Sequence, residues 1–351
     1  MTKVILSITF TIFSLGLLAQ GGGSSTFNFL NITNSAKVAS LGGQQVSITD
    51  EDFNLVFHNP SLLSAGMDQQ LVLNYVNYFP GINLGYVAYA WKPEKKHTIG
   101  VGLHYLNYGE FEEANSAGIK LGTFRAADYA FNFFWARPLI DSVLDVGFNF
   151  KPIFSQYESY TSLGLVFDAG LTYHGKTGLF SAGLVFKNIG GQITKYNPDD
   201  TREPMPFEIQ LGITQKLRHA PFRFSVIAHH LNKPNLLYET AQDINDNIDP
   251  ATGQPKEADK LGDFADNLMR HINFGIEFVP SNKFYIALGY NYKRRQEMKI
   301  KDRAAMVGFS YGFGMKIRRF NFSYGRATYH LAGASNHISI TTNLSDFGAK
   351  L

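Results

Sequence analysis

The feature that most constrains this chain is an alternation of bulky apolar residues with small or charged ones, which recurs along most of its length. Between 143 and 151, Leu144, Val146, Phe148 and Phe150 alternate with Asp145, Gly147, Asn149 and Lys151. A period of two predicts β-strands. A strand that crosses a membrane obliquely needs about 9–11 residues, whereas ordinary strands average about 5–6. The stretches here are of the longer kind, so they predict the wall of a membrane β-barrel.

The alternation predicts fourteen strands: 69–78, 82–92, 97–109, 122–136, 143–156, 160–174, 178–188, 206–217, 222–231, 270–279, 283–293, 303–317, 320–330 and 335–344. An even number suits a closed antiparallel barrel with both termini on one side. Connections after even-numbered strands are short, and every long one follows an odd-numbered strand: 110–121, 189–205, 232–269 and 294–302. Short periplasmic turns and long external loops are typical of outer-membrane barrels. We therefore expect an all-β, fourteen-stranded antiparallel transmembrane barrel over 69–351, with long external loops 189–205, 232–269 and 294–302.

Composition excludes several classes of protein. The chain has no cysteine, which excludes disulfides, thiolate metal sites and a cysteine nucleophile. Its 32 Lys and Arg nearly balance 29 Asp and Glu, so a general nucleic-acid binder is not expected.

The first 68 residues lie outside the alternating wall. Residues 1–19 have the pattern of a signal peptide, because Lys3 precedes the apolar run Val4–Leu18 and the small residue Ala19. Residues 20–68 are too apolar for a free tail. Barrels of eight strands are filled by their own side chains, whereas those of 16–18 strands hold water. We therefore expect 20–68 to plug the lumen or to cap its periplasmic mouth.

Two motifs in the N-terminal segment carry a family resemblance. Gly42 and Gly43 follow the alanine- and leucine-containing segment 36–41, and Asn59-Pro60-Ser61-Leu62 precedes the first strand, with Ser61 where alanine is usual. This order resembles the FadL-like outer-membrane proteins of Bacteroidetes. Further motifs resemble the PorQ family of the type IX secretion system along essentially the whole mature chain: 108–111, 122–128, 188–190, 219–221 and 333–340.

The resemblance implies a function. A PorQ-like chain is a non-enzymatic outer-membrane barrel of the attachment complex and needs no cofactor. Its implied partners are a FadL-like shuttle barrel, a sortase and a surface protein of the PorZ type, which recognises anionic lipopolysaccharide.

Two charged loops are candidate contact sites for such a partner or for lipopolysaccharide. The basic loop at 293–303 includes Arg294, Arg295, Lys299 and Lys301. Clustered arginines pair well with phosphate, although a solvated hairpin tip has the same composition. The acidic loop includes Asp246 and Asp249. It is similar to a calcium loop, but Ile248 stands where the EF-hand needs Gly and Gln254 where it needs Glu, so we interpret it as a solvated acidic loop.

Three other patterns do not predict a catalytic or metal site. Residues 308–312 fit G-x-S-x-G, but Ser310 lies inside a predicted strand, whereas a nucleophile elbow needs a strand-to-helix turn. His229 and His230 are adjacent on a predicted strand and should point to opposite faces, so a shared metal is not expected. Charges of both signs fall on the inward phase, which predicts a paired network inside the barrel: Asp145, Lys151, Glu208, Arg223, Glu277, Lys293 and Lys316.

The residues leave two functions open. The first is the attachment anchor that the resemblance implies. The second is a transporter for apolar small molecules, as in the wider FadL-like group. Pro152, inside the fifth strand, is the feature that favours transport, because proline interrupts a sheet ladder and could open the wall. A bulge without any transport role is the alternative meaning.

Overall fold

The structure, a computed structural model, describes residues 25–94, 96–140, 143–237, 260–298, 306–330 and 333–348. The chain forms a closed barrel in which each strand pairs antiparallel with its sequence neighbours and β1 pairs with β14. This confirms the predicted fold. The strands are β1 Gln70–Phe79, β2 Ile82–Glu94, β3 His97–Ala114, β4 Lys120–Ile140, β5 Leu144–Tyr157, β6 Tyr160–His174, β7 Phe180–Gln192, β8 Glu208–Lys216, β9 Phe222–Ala228, β10 Ile272–Ser281, β11 Phe284–Asn291, β12 Phe309–Ile317, β13 Phe320–His330 and β14 Gly333–Asn343.

The two faces of the wall differ as the alternation predicts. Along β6, Leu163, Leu165 and Phe167 are exposed on the outside, whereas Ser162 and Asp168 are buried in the lumen. An apolar exterior around a polar interior is the reverse of a soluble protein and suits a barrel whose outer face contacts lipid.

The two ends of the barrel carry different connections. We call the end at which β1 begins and β14 ends the short-turn end, and the opposite end the long-loop end. The long connections 193–207, 229–271 and 292–308 all lie at the long-loop end. Two of them contain helices, α2 (Lys260–Arg270) and α3 (Tyr292–Met298), while α1 (Ala36–Ser40) precedes the wall. In the described part of the chain, no helix is both long and apolar enough to cross a membrane.

One predicted loop is largely strand. The sequence indicated a connection over 110–121, but β3 and β4 continue as a paired ribbon and turn only at 115–119. Cross-strand contacts explain the difference: the rings of Phe111 and Phe124 stack 5.2 Å apart, and Arg125 forms an ion pair with Glu110 at 3.0 Å. Such cross-strand pairs stabilise a two-stranded ribbon beyond the membrane span.

The N-terminal segment occupies the lumen. From Thr26 to Leu63 most residues are buried, and the apolar side chains of this segment contact inward-facing wall residues. The ring of Phe53, for example, packs edge-on against that of Phe134 on β4 at 5.7 Å. We call residues 26–63 the plug. Residues 1–19, the predicted signal peptide, lie outside the described residues.

Glycines on the inner face let the plug backbone touch the wall. A Cβ placed on Gly147 of β5 would lie 2.3 Å from the carbonyl of Pro60, and one on Gly325 of β13 would lie 2.2 Å from the carbonyl of Ala36. No side chain fits in that space. The small residues on the inner face of the alternating pattern are therefore needed to accommodate the plug.

Pro152 interrupts the ladder locally but does not shift the register: the β4–β5 pairs stop at Ala130 and Ile153 and resume at Phe133 and Phe150. The β5–β6 register is continuous through Pro152, and the β4–β5 register is the same on both sides of it. A β-bulge lies in β7, where the β6–β7 register shifts and Asn188 has a positive φ of 58°. Because of this bulge, Lys187 and Asn188 are both buried. The sequence did not predict it.

Candidate functional site: the plugged lumen and the long-loop end

An ion cluster joins the plug to the wall near the short-turn end. Arg223 of β9 donates to Glu277 of β10 at 2.7 and 2.8 Å, and to both carboxylate oxygens of Asp50 in the plug at 2.7 and 2.9 Å. Lys37 of α1 donates to Asp50 and lies 3.8 Å from Glu277. Burial alone would raise the pKa of Asp50, but Lys37 and Arg223 hold it well below its usual range. The cluster therefore stays charged and holds the plug in place.

A second buried cluster lies midway along the wall. Lys151 of β5 and Asp168 of β6 form an ion pair at 2.8 Å and are each 1% exposed. Asn188, at the bulge, accepts a hydrogen bond from the Lys151 ammonium at 2.6 Å and donates its backbone N–H to Asp168 at 2.8 Å. Its amide also donates to the plug residue Asn31 at 3.3 Å. Asn188, at the bulge, thus provides hydrogen bonds to both members of a buried ion pair.

These clusters confirm the predicted paired network for Lys151, Arg223 and Glu277. Sequence reasoning missed their partners Lys37, Asp50 and Asp168, because the first two lie on the plug and the third was not assigned a role. Two charges assigned to the interior lie nearer the rims: Lys316 is exposed, and Asp145 contacts His174 at 2.7 Å.

The signature residues lie at contacts within the plug and against the wall. Gly42 and Gly43 have φ of 93° and 91° and end α1, with the N–H of Gly43 donating to the carbonyl of Val38 at 2.9 Å. Asn59 accepts from the N–H of Ser61 at 3.0 Å and donates to Thr172 on β6 at 3.1 Å. Pro60 and Leu62 belong to the same buried 3₁₀ turn. Their role in this structure is to seat the plug.

A cavity of about 330 Å³ opens at the long-loop end. It is lined by apolar, charged and amide side chains and by two histidines: Gln44, Tyr78, Phe79, His229, His230, Asn291, Lys293, Arg294, Glu297 and Met298. A larger, mostly polar cavity of about 580 Å³ lies at the short-turn end and includes Asp50 and Arg223. Plug residues line both cavities.

The predicted contact residues divide between described and undescribed parts of the chain. Arg294 and Arg295 lie on α3 and are half-buried, so they belong to a helix at the rim rather than to a solvated hairpin tip. Arg294 lines the long-loop cavity. Lys299, Lys301, Asp246 and Asp249 lie outside the described residues, as does the calcium-like segment 243–249.

Helix α2 presents an apolar stripe to solvent. Leu261, Phe264 and Leu268 are 78%, 65% and 49% exposed. Their spacing of three and four residues places them on one face of the helix. The opposite side is anchored, since Asp266 accepts from Tyr292 of α3 at 2.6 Å and pairs with Arg270 at 2.7 Å. We call Leu261, Phe264 and Leu268 the α2 stripe. The exposed apolar face of this helix was not predicted from the sequence.

The prediction that His229 and His230 point to opposite faces is wrong. Strand β9 ends at Ala228, and His230 has a positive φ of 56°, so the alternation stops before the pair. Both imidazoles therefore turn to the same side, with their Nδ1 atoms 2.6 Å apart. Glu208, at the start of β8, lies 3.2 Å from the Nδ1 atom of His230. His229 is 1% exposed.

Ser310 lies within β12 and has a structural contact. Its hydroxyl donates to the carbonyl of Ser40 in the plug at 3.0 Å. The strand continues to Ile317, so the strand-to-helix turn of a nucleophile elbow does not follow it.

The fold is similar to that of solved outer-membrane barrels. The toluene transporter TodX of Pseudomonas putida aligns with a TM-score of 0.51 and 12% identity, covering 87% of this chain and 95% of that one. A TodX monoaromatic hydrocarbon channel mutant aligns with a TM-score of 0.51 and 13% identity, over 89% and 97%. A FadL homologue of Pseudomonas aeruginosa aligns with a TM-score of 0.47 and 10% identity, over 89% and 98%.

No protein-family model matches the chain, and no curated protein matches it. At 12–13% identity, the TodX likeness shows a shared fold, here a closed fourteen-stranded antiparallel barrel.

Proposed function

We propose that this chain is a non-enzymatic outer-membrane anchor that holds a surface protein in the attachment complex of a type IX secretion system. The observation that carries the proposal is the α2 stripe. Exposed apolar residues at three- and four-residue spacing are the anchors by which a helix docks into a groove of another protein. In this proposal the long-loop end faces the cell exterior, where the partner, a PorZ-type protein, would be bound.

The plugged lumen supports the same function. Three kinds of contact fix the plug to the wall: the ion pairs of the Arg223 cluster, the close packing of the plug backbone against wall glycines, and the hydrogen bonds of Asn59. The barrel and its plug are therefore expected to behave as one rigid unit. A rigid body is a suitable base for a docking surface. The sequence resemblance to the PorQ family supplies the partner class. The half-buried Arg294 and Arg295 on α3 would add contacts to lipopolysaccharide phosphates or to an acidic partner surface.

Co-purification from the native outer membrane tests this proposal. The parent protein should elute from mild detergent with one surface protein in stoichiometric amount. The double variant Leu261→Asp/Phe264→Asp should lose it, because truncating one interface anchor costs about 2 kcal/mol or more, roughly a 30-fold loss of affinity. Arg294→Glu/Arg295→Glu should weaken retention at low salt and less so at high salt, because salt screens exposed charges.

A matched control lies at the other end of the barrel. Lys176→Glu/Lys216→Glu reverses two exposed charges at the short-turn end and should retain the partner as the parent does. Each variant should keep its heat-dependent shift in gel mobility, which reports a folded barrel. If the α2 and α3 variants retain the partner as well as the control, the long-loop end is not the interface and the anchor proposal fails.

Transport of apolar small molecules is the second candidate. It is favoured by the TodX-like fold and by the long-loop cavity, where Tyr78, Phe79 and Met298 adjoin the basic Lys293 and Arg294. Such a pocket suits an apolar ligand with an anionic group. Mass spectrometry of organic extracts from the purified barrel tests it. A stoichiometric fatty acid or aromatic compound, lost in Phe79→Asp, would favour transport, whereas a ligand-free barrel with a bound surface protein would favour the anchor.

A further inference from the structure

Glu208, His229 and His230 converge beside the long-loop cavity. One nitrogen from each imidazole and one oxygen of the carboxylate lie within 4.8 Å of one another. Glu208 and His229 are 2% and 1% exposed, and the side chain of His230 is 21% exposed. A transition-metal ion needs ligand atoms that close together. A His₂Glu set with a fourth position left open is a known arrangement for bound zinc.

The backbone around the cluster is held in place. The N–H of His229 donates to the carbonyl of His271 at 2.8 Å, and the Nδ1–H of His271 donates to the carbonyl of His229 at 2.9 Å. The N–H of His230 donates to Glu208 at 3.2 Å. These bonds fix the exit from β9 against the starts of β8 and β10. The three side chains are thus preorganised by main-chain contacts rather than lying on a free loop.

One nitrogen of His229 has bonding capacity that the protein does not use, on the side of the ring away from the Nδ1 atom that faces His230. Within the described residues, the Nε2 atom of His229 has no hydrogen-bond partner although it is buried. A buried polar atom without a partner is uncommon and calls for an explanation.

We propose that Glu208, His229 and His230 bind one divalent first-row transition-metal ion, with its remaining position open to the long-loop cavity. Imidazole nitrogens with a single carboxylate, and no thiolate in the chain, favour Zn²⁺ over Ca²⁺ or Mg²⁺. In a tetrahedral site, ligand atoms lie about 3.3 Å apart. With both Nδ1 atoms as ligands, the 3.2 Å from the Nδ1 atom of His230 to Glu208 fits this value, and the 2.6 Å between the two Nδ1 atoms must widen by about 0.7 Å. Coordination through the unpartnered Nε2 atom of His229 would instead require that ring to turn over.

The ion would link the start of β8 to the chain leaving β9, close to Lys293 at the start of α3. It would therefore stiffen the rim from which α2 and α3 project. This inference does not depend on the proposed function, because it concerns a cluster that neither the anchor nor the transporter requires.

Metal titration of the purified barrel tests the proposal. The protein should carry no histidine tag and be stripped with a chelator. Zn²⁺ should then bind at one equivalent by calorimetry, and Co²⁺ should give the visible absorption of a low-coordinate site. Glu208→Gln and His230→Gln should each weaken Zn²⁺ at least about 100-fold, since losing only an outer-sphere partner already costs 10–100-fold. Excess Mg²⁺ or Ca²⁺ should not displace the ion.

His219→Gln is the matched control, because His219 is an exposed histidine between β8 and β9 at the opposite end. It should bind Zn²⁺ as the parent does. Gel mobility before and after heating should show that every variant is folded. If the parent binds no Zn²⁺ at one equivalent, or if the Glu208 and His230 variants bind it like the control, the imidazoles share only a hydrogen bond and the metal proposal is refuted.

Discussion

Replacing Gly147 with alanine should loosen the plug. A Cβ at this position would lie 2.3 Å from the backbone carbonyl of Pro60 and 2.4 Å from the N–H nitrogen of Ser61, where ordinary contacts are 3.4 Å or more. The contacted atoms belong to the main chain, so no side chain can rotate away and the plug itself must shift. Overpacking of this kind costs about 1–3 kcal/mol.

Trypsin cleavage after Lys37 measures the opening of the plug. Lys37 is the single Lys or Arg between Lys3 and Lys92, and it is 5% exposed in the closed state. When opening and closing are fast, the cleavage rate follows the population of the open form. A cost of about 1–3 kcal/mol therefore predicts cleavage roughly 5- to 150-fold faster than in the parent. Trp91 and Trp135, both on the wall, report independently by fluorescence that the barrel stays folded.

Gly85→Ala is the matched control, since Gly85 also lies in a wall strand but a Cβ there meets nothing within 4 Å. Alanine in a strand is ordinarily neutral or slightly stabilising relative to glycine. Cleavage at Lys37 should therefore match the parent. Equal rates for Gly147→Ala and Gly85→Ala would refute the argument that wall glycines seat the plug.

Other contacts of the lumen give three further predictions. Asp168→Asn leaves the Lys151 ammonium buried without its carboxylate and should lower the free energy of unfolding, measured in urea, by about 3–5 kcal/mol. The double variant Lys151→Met/Asp168→Leu removes both charges and should recover most of the loss. A double variant as unstable as the single one would contradict the argument that the unpaired charge is what destabilises the barrel. Asn59→Ala removes buried hydrogen bonds to Ser61 and Thr172 and should accelerate cleavage at Lys37 by about tenfold or more, with unchanged rates as the contrary result. Burial lowers the pKa of His58 well below 6.5, so below pH 6.5 the released segment takes up a proton that the seated plug does not. The seated plug should therefore lose up to about 1.4 kcal/mol of stability for each pH unit below 6.5. His58→Gln should reduce this dependence of plug stability on pH, as measured by cleavage at Lys37 at pH 5 and pH 7.

The sequence alone determined the architecture of the wall. Alternation along a strand is a local property, because successive side chains point to opposite faces whatever lies beyond them. The strand count, the closed barrel and the outward position of residues such as Phe148 and Leu288 therefore followed from the pattern. A plug or cap formed by the N-terminal segment was also predicted, because residues 20–68 are too apolar to stay exposed to water.

The tertiary structure decided which residues meet across the lumen. Asp50 reaches Arg223 across 173 positions of sequence, and Gly147 faces Pro60 because the plug crosses the barrel there, which no local pattern encodes. The histidine pair shows the same limit. A strand predicted to continue to 231 ends at Ala228, and His230 then has a left-handed backbone conformation. The side chains of His229 and His230, which an unbroken strand would place on opposite faces, therefore both lie near the Glu208 carboxylate. Local periodicity specifies a face only while the strand lasts, and its end is set by contacts with distant residues.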